Sequence, residues 1–548
     1  MPENVAVSAS DRQGFDRRFY ANNPDLTVFR PTSSQDVVAA MQSIAANDPA
    51  AVGHKVQIAC GRHCYEGFVY NSDTKYMIDV TGLRQFGTVS LNDRTDVVCI
   101  GSGYGNWDMY RMMQNVYGKT LPAGSCYSVG LGGHLTGGGY GVLSRLAGLT
   151  IDYIYGFEVV MDNGQGGPEA KVVTRDSTEQ QDLDIYWALR GIGGGQIGVI
   201  TKYYFVLGEL PTSPSLMATT SFGWDWDQAS TRLTEQQFVD LVNTFYSIFC
   251  SQDEDTWKVW AAFHANHVES GRLSCPAIIF NPANSGVSDE EFRQEVDLLI
   301  SDWTEKFNAV VPLTAEDHPI NGHPCISSRS LIGIATPEET GQPAARFFSY
   351  IDGTQQLNGS GENQHGKYKS AYHNFIIEAQ MLSAMYKGLT TSVEGIDLSQ
   401  ARVQMDSYGG KTNEIGSGET PIPQRSSTVK LQYQTYWKTP GMLPCQTDKE
   451  VEEKQLDWIN TMYSNVYAAT GGIPVNQNNP AVDDVVTTDG CYFNYPDIYI
   501  GSRVEETPDV EQAWELYFGS ANSERLQKIA AECNPSGWFT NSQTFQYK

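Results

Sequence analysis

The chain has 548 residues, more than one hydrophobic core usually serves, so two domains are expected. Its 40% apolar and 18% charged residues suit an ordinary globular protein. Asp and Glu outnumber Lys and Arg by 64 to 37, and the resulting formal charge of -27 repels phosphate backbones and anionic lipid, so no nucleic-acid or membrane partner is expected.

The opening MPENVAVSASDRQGFDRRFY has no unbroken apolar run after a basic start. No stretch reaches the ~18 apolar residues of a membrane span. A cytoplasmic protein is expected, with secretion by another route left open. In RPTSSQDVVAAMQSIAAN, Thr32 or Ser33 stands at an N-cap position, and Val37, Val38, Met41 and Ile44 follow at helical spacing. VQIAC, YMIDV and DVVCI are short β-rich runs between turn signals. IDYIYGFEVVMDNGQGG reads as a strand entering an Asp-Asn-Gly turn. LDIYWALRGIGGGQIGVITKYYFVL reads as a helix, a glycine-rich turn and a strand. An α+β domain over residues 1–207 is the expectation.

Past the linker ELPTSPS the texture changes. SFGWDWD, WKVWAAFHANH, LSCPAIIF and VKLQYQTYW read as longer strands, separated by acidic helices such as DEEFRQEVDLLISDWTEKF. A second domain over 208–474, an antiparallel sheet covered by helices, follows. The tail, from AWELYFG onward, is helical and ends in a Pro-Ser-Gly turn.

The ten cysteines are too dispersed for a disulfide scaffold, and no CxxC pair suggests zinc; no metal site is expected. The pair His63-Cys64 in GRHCYEGF allows metal ligation, a Cys/His dyad or plain neighbours. His264 and His267 in HANH read as structural. GSCYSVGLGGHLTGGGYG has neither a Walker lysine nor the strand-GxGxxG-helix context of a Rossmann site. Packed glycines admit backbone N–H groups close to an anion such as a pyrophosphate, or serve a buried tight turn. GIGGGQIG is a second such loop, and two in one domain favour a dinucleotide. In CYFNYPDIYIG, Tyr492, Asn494 and Asp497 alternate as in a strand, with Tyr495 on the other face or at its end.

Together, HCYEGF, SDTKYMIDVTGLRQ, GSCYSVGLGGHLTGGGYGVLSRLAGLTIDYI, GGGQIGVITKYYF, YGGKTNEI, YFNYPD and the closing YFG…RLQKIAAECNPSGWF resemble the berberine bridge enzyme-like family of FAD-linked oxidases, above all its bacterial members that finish natural products. The resemblance spans nearly the whole chain. It implies the vanillyl-alcohol-oxidase/p-cresol-methylhydroxylase fold, in which residues 475–548 complete the FAD-binding domain begun by 1–207. It also implies a bicovalent FAD, with His63 on the flavin 8α carbon and Cys126 on C6. Gly61 and Arg62 would adjoin the phosphate loop. The family has Gly-Gly-His where this chain reads Gly-Arg-His, so Arg62 is a departure that could bind pyrophosphate or could tighten the loop differently. Cys64 would be a neighbour within the cofactor site. Gly124, Val129, Gly132, Gly133, His134, Gly137, Gly138, Gly139 and Gly141 would form the glycine-rich wall, with Gly198, Val199 and Ile200 opposite and Tyr492 and Asn494 on the flavin. Val129, three residues after the cysteine, stands where the family gates oxygen.

The resemblance further implies Tyr495 as the base that takes a hydroxyl proton while hydride leaves for the flavin. Lys430 and Gln432, with Gln434, would assist from one face of VKLQYQTYW, with Tyr433 on the other and Tyr140 a further cavity candidate. The expected activity is oxidation of a hydroxyl of a secondary metabolite, a polyketide or its sugar, with O2 reduced to H2O2. Desaturation, oxidative ring closure, a carbohydrate oxidase and a non-catalytic binding protein are the rivals. Monomer and homodimer are equally open.

Overall fold

A computed structural model describes residues 4–5, 7–52, 55–162, 167–314, 343–357, 363–438, 448–476, 487–500 and 510–544. Cys325, Cys445 and the Asn163–Gly164 end of the anticipated turn lie outside the described residues.

The capping signal at the first helix resolves in favour of Ser33. Its hydroxyl accepts from the Asp36 amide, the Asp36 carboxylate accepts in return from the Ser33 amide, and the helix runs Ser34–Asn47. Its apolar stripe, Val37, Ala40, Met41 and Ile44, packs beside a four-stranded sheet. That sheet takes β1 (Asn4–Val5), β2 (Thr27–Phe29), β3 (Val56–Ala59) and β4 (Tyr76–Asp79) in the order β1-β2-β4-β3, with β2, β4 and β3 parallel. A five-stranded antiparallel sheet follows, built from β5 (Phe86–Leu91), β6 (Arg94–Gly101), β7 (Ile154–Asp162), β8 (Pro168–Thr174) and β9 (Val199–Val206) in the order β5-β6-β9-β7-β8. Residues from the end of the chain share its core: Trp514, Leu516, Phe518, Leu526 and Ile529 cluster with Val98, Ile100, Phe157 and Tyr203.

The second half holds a seven-stranded sheet. It takes β10 (Leu216–Asp225), then, past a small hairpin of β11 (Asp227–Gln228) and β12 (Thr231–Arg232), β13 (Val259–Asn266), β14 (Arg272–Asn281), β15 (Arg346–Ser349), β16 (His365–His373), β17 (Arg402–Ser407) and β18 (Val429–Trp437). Its order is β15-β10-β14-β13-β17-β18-β16, antiparallel throughout. Helices cover one face. In Asp289–Asn308, Phe292, Val296, Ile300, Trp303 and Phe307 recur at helical spacing and join Phe222, Trp224 and Phe263 of the sheet. Val403, Met405, Leu431 and Tyr433 belong to the same helix-side core. The alternate positions Arg402, Gln404, Asp406, Lys430, Gln432 and Gln434 therefore fall on the opposite face, toward the two smaller sheets.

The segment from Cys491 to Ile500 is not a strand, contrary to the alternation read from it. Its amides are satisfied one at a time: Tyr492 N–H by the Ser370 hydroxyl at 3.0 Å, Asp497 N–H by the Tyr517 hydroxyl at 3.0 Å, and Tyr495 N–H by the Tyr492 carbonyl at 3.0 Å. Pro496 has no amide to give a ladder, and the chain turns before it at Phe493 and Asn494 and after it from Ile498.

Candidate active site

A cavity of about 1970 Å³, counted to its open mouth, runs between the two smaller sheets and the polar face of the large one. The loop after β3 brings Gly61, Arg62, His63 and Cys64 to its wall. A second loop brings Gly124, Cys126 and Val129. The loops touch backbone to backbone: a Cβ on Gly61 would lie 2.3 Å from the Gly130 nitrogen, and one on Gly130 would lie 2.2 Å from Cys60 Sγ, so only glycine fits at either position. His63 Nε2 shares a hydrogen bond with the Ser128 hydroxyl at 2.8 Å, which ties the loops together, and Phe15 stacks on the imidazole at 5.3 Å. Burial pushes His63 down to about 4, so its ring is neutral. The Cys126 carbonyl accepts from the Val129 amide and the Asn106 side chain. Burial raises the Cys64 thiol to about 12, which makes it inert.

Arg62 lines the cavity and is tied to the carboxylates behind it. Its guanidinium pairs with Asp11 at 2.9 Å and Asp79 at 2.8 Å, and Arg30 joins the same two carboxylates. Its φ of 58° is left-handed, a conformation glycine adopts without strain, which gives a physical reason for glycine at this place in the family pattern.

The glycine run forms one turn of α-helix, Leu131–His134, and a 3-10 turn, Leu135–Gly137. Gly132, Gly133, His134 and Gly141 line the cavity, as do Gly198 and Ile200 across from them. Gly137, Gly138, Gly139 and Val199 stand behind this wall. A Cβ on Gly137 would strike the Asn494 side chain at 2.0 Å and one on Gly139 would strike Thr150 at 2.5 Å, so these glycines serve packing; Val199 is buried in the core beside the Ser34–Asn47 helix. Asn494 Nδ2 donates to the His134 carbonyl at 2.9 Å and to the Tyr492 hydroxyl at 3.1 Å, which pins the C-terminal loop onto the glycine run.

The polar sheet face closes the far side. Gln432 Nε2 lies 2.5 Å and Lys430 Nζ 3.3 Å from the Tyr495 hydroxyl. Lys430 is fully buried, 3.8 Å from the centroid of the Tyr140 ring and 3.1 Å from the Asp406 carboxylate. Burial lowers its ammonium to about 8 in spite of Asp406. Burial likewise lifts the Tyr495 phenol well above its ordinary range. The Tyr140 hydroxyl accepts from the Trp260 indole at 2.9 Å. Tyr433 is not part of the site: its position on the opposite face puts it in the helix-side core, where its hydroxyl bonds Tyr467 at 3.0 Å. Asp406, Gln404 and Trp260 are wall residues that sequence reading missed. The alternation of Arg402, Gln404 and Asp406 with Val403 and Met405 carried the signal for the first two.

Under the cavity floor lies a chain of buried charges. Arg18 pairs with Asp16 and Glu66, Lys367 with Glu66 and Asp497, and Lys369 with Asp497; every one of these side chains is 5% exposed or less. Burial alone would raise the Asp497 carboxyl, but Lys367 and Lys369 override it and hold it at about 2.

A model described as "FAD binding domain" matches residues 25–166, and one described as "Berberine and berberine like" matches residues 491–544. Hexose oxidase of Chondrus crispus is 31% identical over 542 residues, which cover 98% of this chain and 93% of that protein. The chain belongs to the berberine bridge enzyme-like family. Another member, aclacinomycin-N/aclacinomycin-A oxidase of Streptomyces galilaeus, is 26% identical over 97% of this chain and 86% of its own. Among solved structures of the same fold, a flavoenzyme involved in shunt product recycling in caerulomycin biosynthesis is 27% identical with a TM-score of 0.78, covering 98% of this chain and 97% of its own. A glycopeptide hexose oxidase complexed with teicoplanin is 26% identical with a TM-score of 0.76, covering 98% and 96%.

As a family member the protein is an FAD-dependent oxidoreductase. The cavity suits that cofactor. Gly133 would point a Cβ into open space, so the wall there is bare backbone that a flat or anionic group can approach. Two wall residues, Asn106 and Gln196, keep a buried side-chain oxygen with no partner among the described residues.

Proposed function

We propose that the protein oxidises a hydroxyl-bearing carbon of a sugar, free or carried on a natural product, to the carbonyl and delivers the electrons to O2 as H2O2. Tyr495 carries this reading: its hydroxyl stands on the cavity wall, held by Gln432 and Lys430. The likeness to a hexose oxidase and to a glycopeptide hexose oxidase supports a sugar as the group oxidised. FAD supplies the hydride acceptor and returns the electrons to O2.

The residues of the chain handle the proton. The substrate hydroxyl proton passes to the Tyr495 oxygen, and Lys430 balances it, either as an ammonium already beside a phenolate or as a neutral amine that takes the phenolic proton as the substrate proton arrives. The Asp406 carboxylate orients Lys430, and the Gln432 amide fixes the direction of the phenol. His63 and Cys126 would hold the cofactor covalently. A neutral imidazole has the ring lone pair that bonding to carbon requires, and Cys126 offers a thiol on the same cavity wall.

The test is peroxide release in air over a panel of free hexoses, glycosides and alcohols without a sugar, with product mass read alongside. The expected result is peroxide in step with a product two hydrogens lighter, and a new carbonyl, from sugar-bearing substrates alone. A product carrying a new C–C double bond or a new ring would refute the alcohol assignment.

A further inference from the structure

The His63 imidazole is held at one edge and on one face. At the edge, Nε2 shares its hydrogen bond with the Ser128 hydroxyl at 2.8 Å. One hydrogen bond fixes a point and leaves the ring free to swing about it. The face is covered by Phe15, whose ring lies 5.3 Å away between centroids and 25° from parallel. A stack of that kind sets the plane of the imidazole as well as its place. Phe15 is 2% exposed and does not line the cavity, so it reaches the imidazole from behind the wall.

Residues 9–19 form a clasp between the His63 loop and the seven-stranded sheet. On the loop side, Asp11 pairs with Arg62 and Arg18 with Glu66, on either side of His63 in sequence. On the sheet side, just ahead of β16, the Gly14 carbonyl accepts from the Asn363 side chain at 3.0 Å and the Arg17 amide donates to the Gln364 carbonyl at 3.0 Å. Held between these ties, the Phe15 ring meets Tyr65 edge-on at 5.6 Å. It also closes a small cluster with Tyr368 of β16 and Tyr436 of β18, against which Cys126 packs. A residue needed only to fill that space could be any large apolar side chain, whereas one that sets a ring plane has to be flat. We infer that Phe15 is a positioning residue for cofactor attachment, its ring holding the His63 imidazole in the plane from which a nitrogen reaches the flavin 8α carbon. This rests on the proposed covalent attachment at His63. One bond forms in that step, between the imidazole nitrogen and the 8α carbon. The carbon gives up one proton and the imidazole its N–H proton, the two electrons stay on the flavin, and O2 takes them away as H2O2. Such a step needs lone pair and carbon aligned, and a misplacement of about 1 Å costs on the order of 100-fold in rate.

The experiment reads attached flavin rather than turnover, in full-length protein from cells harvested at the same time. Acid precipitation separates attached from released FAD, and intact mass counts the chains that carry it. Cys126→Ala isolates the His63 bond and should carry flavin in nearly every chain. Adding Phe15→Leu or Phe15→Met, large apolar side chains without a ring, should cut the attached fraction about 10-fold. Total bound FAD should stay the same, and Tm reports whether each variant has folded. Adding Phe15→Tyr instead, which keeps a flat ring, should restore attachment. On the His63→Ala background, where only Cys126 can bond, Phe15→Leu should change the attached fraction by less than about twofold. Equal losses of the His63 and Cys126 bonds, or full attachment in Cys126→Ala/Phe15→Leu, would overturn the role of Phe15 while leaving attachment at His63 standing. If Cys126→Ala releases all its flavin with Phe15 in place, His63 forms no bond, and the attachment reading falls together with the inference.

Discussion

Lys430→Met removes the buried ammonium 3.3 Å from the Tyr495 hydroxyl. In the wild type the Tyr495–Lys430 pair sheds one proton with an apparent pKa near the value of about 8 that burial gives Lys430, and both arrangements of the remaining proton serve the same reaction. Flavin reduction by substrate should therefore rise with pH through about 8 and level off above it. Without Lys430, Tyr495 has to ionise alone, against burial that lifts it above its ordinary 10.0. Even at that ordinary value only about 1% would be phenolate at about pH 8, against roughly half of the wild-type pair, so reduction should slow by at least about 50-fold and the rise through pH 8 should vanish. The substitution also strands the Asp406 carboxylate, and breaking a buried pair costs about 3–5 kcal/mol. The double variant Lys430→Met/Asp406→Asn, which strands no charge, separates lost chemistry from lost fold. Anaerobic stopped-flow reduction across pH, with flavin content and Tm, is the assay. Reduction within about threefold of wild type at about pH 8, or a retained rise, would sink the pairing of Tyr495 with Lys430 as the base.

After acid precipitation the wild-type pellet should stay yellow and the intact mass should exceed the chain by one FAD; His63→Ala and Cys126→Ala should each stay yellow, and the double variant should release its flavin. Val129→Ile adds one methylene on the cavity wall and should slow reoxidation by O2 while leaving reduction by substrate unchanged, with about 1–3 kcal/mol of overpacking visible in Tm. Both Arg62→Gly and Arg62→Ala lose the pairs to Asp11 and Asp79, but alanine also keeps a left-handed φ that costs about 1 kcal/mol, so the melting order should be wild type, then Gly, then Ala. An alanine variant that melts at or above the glycine variant would show that Arg62 carries no backbone strain.

The elements were legible wherever one local rule decided them. The Ser33 cap, the apolar stripe of Asp289–Asn308 and the alternation of β18 each rest on residues within a few positions of one another. The segment from Cys491 to Ile500 misled because alternation mimics a strand, while the amide partners Ser370 of Tyr492 and Tyr517 of Asp497 lie 122 and 20 residues away. Arg62 was legible only as a departure from the family's glycine, because nothing local announces its pairs with Asp11 and Asp79. Gln404 and Asp406 showed only a polar stripe, and it took the register against β18 to place them beside Tyr495. The resemblance to the family supplied His63, Cys126 and Tyr495 together, which spacing alone does not join.

The cavity wall also has an order in time. His63 and Cys126 are made within the first quarter of the chain, whereas Tyr492, Asn494 and Tyr495 come from its last eighth, and Lys367 and Lys369 reach Glu66 and Asp497 from between them. A ribosome that has finished the first two sheets has made both of the side chains proposed to hold the flavin but not the loop that pins the glycine run. Until residue 497 emerges, Lys369 has no partner in the Arg18–Lys369 charge chain, and the buried half of that chain is short of an anion. Cofactor capture in the finished geometry is thus a late event, open only to a chain synthesised past its final loop, and a nascent chain stalled before that point should hold FAD weakly or not at all.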